Sequence, residues 1–181
     1  MRELSSAVRR PVAADALVVV GWFVLVAALG AVLWWQLTPL AEYTRTASTA
    51  QMGEQELGRQ VSADGWYFVI AAVGGLLSGI VLLAWRDRDL LVMVVLVTAG
   101  ALLAGWLVLR IGLWLGPADP REVLPHVKEG AKVPLQLKVH AWGLVLVWPI
   151  TALLGAIGVI WGSDAGRNNV LDDPLSVERN R

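Results

Sequence analysis

Residues 107–116, LVLRIGLWLG, set Arg110 inside a run otherwise made of aliphatic, glycine and tryptophan residues. A charge in such company either serves a ligand or marks the edge of a membrane, because a guanidinium is costly in hydrocarbon. Arg110 lies 21 residues beyond Asp89, about 31 Å along a helix and thus one hydrocarbon thickness away. It is therefore expected at the outer boundary, its stem lying along the helix. Trp106, Arg110 and Trp114 recur at i, i+4 and i+8, which puts them on one helix face and allows the cation to stack on an indole. Asp64, in SADGWYF, and Lys138 and His140, in LKVHAW, should stand at the same level on two other helices. An Asp64–Arg110 pair would lock the second helix to the third, since arginine can grip a carboxylate through two parallel hydrogen bonds. Together Asp64, Arg110, Lys138 and His140 form a candidate binding cluster for an anionic headgroup. The plainer reading makes them interface residues, with Asp64 capping the second helix.

Other chemistry finds less support. Glu122, His126 and Glu129 follow at i, i+4 and i+7, but a metal site needs clustered ligands held by outer-shell partners, and none can be named. They read as a solvated loop. His126 and His140 are badly placed for a two-histidine haem, and Ser78 and Thr98 have no neighbouring base to make them nucleophiles. Those hydroxyls suit hydrogen bonds between helices or back to their own backbone. AAVGGLLSG has glycines but no following lysine, and its setting is not a strand-to-helix turn. The chain has no cysteine, so thiolate chemistry and disulfides are excluded, and its zero formal charge gives no basic footprint for nucleic acid. No catalytic residue, metal ligand or cofactor is assigned.

The elements that would position the cluster follow from composition. Of 181 residues 56% are hydrophobic and 17% charged, against about a quarter charged in ordinary soluble domains. Four runs, 16–37, 66–85, 90–115 and 139–161, are long and apolar enough to cross a bilayer as helices. The fold class expected is an all-α membrane protein, a four-transmembrane-helix bundle. A tail (1–15) precedes it, outer loops occupy 38–65 and 116–138, the turn RDRD (86–89) joins the middle spans, and a polar, disordered tail (162–181) follows. The first run is too long for a cleaved export signal and ends in tryptophans suited to an interface. The Arg9-Arg10 pair reads as a basic flank and not as a twin-arginine signal.

Four spans put both termini on one side. Tails and turn hold eight lysines and arginines against six in the long loops, which favours cytoplasmic termini. The bias toward Ala, Val, Leu, Gly and Arg points to a GC-rich bacterial genome, and hence to a multi-pass protein of the bacterial cell membrane. In the second loop Val133, Leu135, Leu137 and Val139 alternate with Lys132, Pro134, Gln136 and Lys138, the period of a half-buried strand. Pro134 restricts that strand to an edge. The two outer loops are expected to pack as a small cap.

Small residues recur at four-residue spacing, Gly75 with Gly79, Gly112 with Gly116 and Gly158 with Gly162. Such pairs let helices approach closely in lipid, either within the bundle or against a partner. Pro149, after Trp148, should bend the fourth span or open its hydrogen bonding. VLDDPLSV in the tail is read as solvated.

ADGWYF, LRIGLWLGP and PLQLKVHAWGLVLVWP resemble an uncharacterised actinobacterial integral-membrane family known only as a domain of unknown function. The resemblance covers nearly the whole chain outside the tails. It implies four spans, with Asp64, Gly65, Arg110, Gly112, Trp114, Leu115, Gly116, Pro117, Trp148 and Pro149 on matching positions, and it supplies no activity. Two functions are open at this point. One is a non-catalytic accessory or scaffold subunit of the cell envelope, partnered by another membrane protein or a second copy; the other is a lipid-binding or small transport protein that uses the outer cluster, with membrane lipids as its partners.

Overall fold

The computed structural model describes residues 2–45, 50–51, 54–85, 89–123, 126–128 and 130–171. Four long helices dominate: α1 (Arg2–Leu37), α2 (Glu54–Trp85), α3 (Leu90–Leu115) and α5 (Val147–Leu171), the last entered through a 3-10 turn at Trp142–Leu146. Their apolar stretches Ala13–Leu37, Val61–Trp85, Leu90–Leu115 and Trp142–Ser163 are each long and apolar enough to cross a membrane. Only 28–39% of each apolar window is buried against other helices. A soluble bundle could not leave Leu17, Leu25, Leu29 and Leu91 facing water in this way, whereas lipid accommodates them. The protein is thus a multi-pass membrane protein built as a helical bundle.

Tryptophans mark the two boundaries. Trp66 and Trp85 on α2, and Trp142 and Trp161 on the fourth span, are each 19 residues apart and all face outward. That spacing is about 30 Å, the hydrocarbon thickness, with amphipathic indoles at both edges.

The helices form a ring in the order α1, α2, α5, α3, so that α2 and α3, neighbours in sequence, stand across its diagonal. Steric fit accounts for the order. Gly100 faces Phe23 and Val19, and Gly112 faces Trp34, which packs α3 on α1 in parallel. Gly75 lies against Trp148 and Thr151, Gly79 against the Ala152 carbonyl, and Gly155 against the Leu76 carbonyl, which brings α5 onto α2 backbone to backbone. Gly116 lies against Leu137 below the cap. At Gly158 and Gly162 a β-carbon would meet nothing, so that pair takes no part in packing the bundle.

Trp148 is the central wedge. It is fully buried, and β-carbons built on Gly30, Gly74 and Gly105, from the three other helices, would lie 3.7, 2.8 and 3.1 Å from its ring. Hydrogen bonds tie the same core together. Trp22 Nε1 donates to Ser78 Oγ (3.0 Å), Trp34 Nε1 to the Ala63 carbonyl (2.9 Å) and the Tyr67 hydroxyl to the Gly105 carbonyl (3.1 Å). Ser78 and Thr98 donate back to Gly74 and Val94 of their own helices. Thr151 donates to Val147 (2.8 Å), with the Ala71 carbonyl of α2 also within 3.3 Å.

The loops meet as a cap. Strands β1 (Glu42–Arg45), β2 (Ala50–Gln51) and β3 (Lys132–Pro134) form an antiparallel sheet in the order β2-β1-β3, with Tyr43 opposite Val133. Val133, Leu137 and Val139 are buried while Lys132, Pro134 and Lys138 are exposed, and Pro134 sits on an edge strand. Lys132 pairs with Glu42 at 3.3 Å across β1 and β3. The short helix α4 (Pro120–Val123) follows α3.

Several boundaries differ from the sequence expectation. The second helix starts at Glu54, not near 66, because GluGlnGluLeu and the residues after it are good helix formers that need no lipid. α1 likewise extends beyond its apolar stretch, beginning at Arg2. The fourth helix runs to Leu171, since a helix nucleated in the membrane can propagate into water one bond at a time. The effect of Pro149 is a change of helix type: the 3-10 turn becomes α at Val147, so the missing N–H falls in the first α-helical turn. Arg86, Asp87 and Arg88 of the RDRD turn, and VLDDPLSV beyond Leu171, lie outside the described residues. Asp89 caps α3 by accepting from the Leu91 N–H at 3.1 Å.

Candidate functional site

Asp64, Arg110, Lys138 and His140 all stand at the cap end, in two separate arrangements. Asp64, ten residues into α2, does not cap that helix. Its two oxygens accept the backbone N–H groups of His140 (2.9 Å) and Ala141 (3.2 Å), the residues that lead into the fourth span, and the His140 ring nitrogen lies 3.8 Å away. It fastens the entry of the fourth span to α2.

Arg110 makes no ion pair with Asp64, contrary to the lock expected between the second and third helices. Trp34 explains why: its indole donates to Ala63, beside Asp64, while its ring rests on Gly112 of α3, and so the side chain fills the space between the two helices. Asp64 turns to the fourth span instead. Arg110 packs its guanidinium over Trp106, 5.3 Å from the ring centroid, while Trp114, one turn further on, faces outward.

Arg110 and Lys138 do share a feature. Both line an open hollow of about 230 Å³ between α3 and the start of the fourth span. Its walls are otherwise apolar and aromatic, among them Trp106, Leu109, Leu113 and Val145. Trp106, Leu109, Arg110 and Leu113 follow helical spacing, so this wall could have been read from the sequence; the opposite wall, from a distant segment, could not.

A smaller hollow of about 20 Å³ adjoins it under the cap, and Leu137 and Lys138 line both. The small one is lined mainly by apolar residues, with Thr38, Arg59, Gln136 and His140 among them. The Thr38 hydroxyl is buried and has no hydrogen-bond partner among the described residues. Neither hollow has a carboxylate among its described lining residues. The site is amphiphilic in shape: an apolar trough with Arg110 and Lys138 on its rim, and a small recess beneath the cap that carries Thr38, Arg59 and His140.

Elsewhere the chemistry is sparse. His126 Nδ1 lies 3.0 Å from the Glu122 carbonyl, and Glu129 is outside the described residues. Among the described residues no three His, Asp or Glu side chains gather as a metal site. No protein-family model, curated protein or solved structure matches this chain.

Proposed function

We infer that the chain is a non-catalytic accessory protein of the bacterial cell membrane that works by binding a membrane lipid at its capped end. One observation carries this reading. The hydrogen-bonding groups of Trp22, Trp34, Tyr67, Ser78, Thr98 and Thr151 are satisfied inside the bundle, whereas Arg110 and Lys138 face a shared apolar hollow and make no ion pair or hydrogen bond with the described residues. Cations so placed are suited to a ligand that is apolar at one end and polar at the other.

The excess of arginine in the tails and turn supports cytoplasmic termini, which sets the cap and the hollow on the outer side. Gentle extraction through a tag on the C-terminal tail, followed by mass spectrometry of co-purifying lipids and proteins, tests the reading. A lipid held at defined stoichiometry and lost with Arg110→Gln is the expected result. Protein free of lipid but bound to a stoichiometric partner would overturn it and make the chain a scaffold.

A further inference from the structure

The hollow has more than room for an amphiphile; its charge selects one. We propose that it binds an anionic outer-leaflet phospholipid, with the phosphate held between Arg110 and Lys138 and the acyl chain lying in the trough. This rests on the reading of the hollow as a lipid site and names the class of lipid.

The order of residues along the membrane normal matches such a ligand. Trp106, Leu109 and Val145 line the trough at or below the level marked by Trp66 and Trp142. Thr38, Arg59 and His140 belong to segments above that level, beyond the end of α1 and before the apolar parts of α2 and the fourth span. Lys138, shared by the two hollows, stands at the junction. A lipid entering sideways would thus keep its chain in the apolar part and place its charged group where the protein changes from apolar to cationic.

Charge complementarity supplies the selectivity. Arg110 presents a fork of donors to phosphate oxygens, one face stacked on Trp106, and Lys138 adds a compact charge. Asp64, the carboxylate on the neighbouring helix, does not line the hollow and already accepts the backbone N–H groups of His140 and Ala141. A zwitterionic lipid brings its own cation next to these two, whereas a phosphatidylglycerol-type headgroup does not.

The test uses the delipidated full chain in neutral detergent, titrated separately with dioleoyl phosphatidylglycerol and dioleoyl phosphatidylcholine, with bound lipid counted by native mass spectrometry. Phosphatidylglycerol should be retained about tenfold better. Arg110→Gln with Lys138→Gln should remove that preference, while Lys132→Gln, a cation paired with Glu42 outside the hollow, should preserve it. Leu109→Trp, which fills the trough without changing charge, should lower retention of both lipids, and far-UV circular dichroism identifies any variant that has lost its fold. Equal retention of the two lipids by the native chain, or a preference that survives the double substitution, overturns the anionic assignment. Retention of neither lipid by the native chain overturns the lipid reading itself.

Discussion

Gly79→Ala should destabilise the bundle by about 3 kcal/mol, at the upper end of what overpacking a well-filled core costs. The added methyl group has nowhere to go. A β-carbon at Gly79 falls well inside contact distance of the Ala152 carbonyl, which is backbone and cannot rotate away, and at Gly155 the obstacle is the Leu76 carbonyl on the other side of the same crossing. Only separation of α2 from α5 relieves the clash, and separation forfeits the dispersion contacts that hold helices together where lipid offers no hydrophobic drive. Gly158→Ala, on α5 but open to the surroundings, is the control and should stay within about 0.5 kcal/mol of the native protein. Thermal unfolding in detergent reads both. Equal effects of the two variants would mean that the close crossing of α2 and α5 does not govern position 79, since alanine is itself the better helix former.

Trp148→Ala should cost about 3–5 kcal/mol, the range for deleting a large aromatic from a core. The indole fills the space left by Gly30, Gly74 and Gly105, so its removal opens a cavity at the point where all four long helices meet. Its Nε1 makes no hydrogen bond among the described residues. Packing therefore accounts for most of the loss, and Trp148→Phe should recover a large share of it. The stronger test is coupling. Gly74→Ala brings a methyl carbon within 2.8 Å of the native ring and should cost about 2 kcal/mol, yet in the Trp148→Ala background it should be nearly neutral. Additive losses would show that Gly74 and Trp148 do not share one packing site.

Hydropathy made the four spans legible, and the alternation of Val133, Leu135, Leu137 and Val139 made the cap strand legible, because both patterns report contact with an apolar medium or core over a short stretch of chain. Helix ends were less accessible. Hydropathy marks where lipid stops, and α2 continues 12 residues beyond Trp66 to Glu54 in a segment that is polar but still favours helix. The ring order of the helices was hidden for a different reason: it depends on which glycine receives which tryptophan, as Gly112 receives Trp34 and Gly74 receives Trp148. Local sequence does not specify that matching.

Among the candidate residues, the common level of Asp64, Arg110, Lys138 and His140 followed from counting helical rises. Their partners did not. Asp64 found backbone N–H groups 76 and 77 residues away in place of the guanidinium, and Lys138 came to line the same hollow as Arg110, from the opposite wall, because the segment between β3 and the fourth span descends beside α3. Thr38 and Arg59 lie in stretches with no motif, and only the closure of the cap brings them together.

Everything proposed for the hollow depends on which side of the membrane the cap occupies. The chain has no cysteine, so single substitutions at exposed positions report sidedness directly: Gly58→Cys and Lys132→Cys at the cap end, Ser163→Cys at the other. With a membrane-impermeant maleimide on intact cells, the first two should label fully and Ser163→Cys only after permeabilisation. Labelling of Ser163→Cys alone in intact cells would contradict the account, turning the hollow and its cations toward the cytoplasmic leaflet.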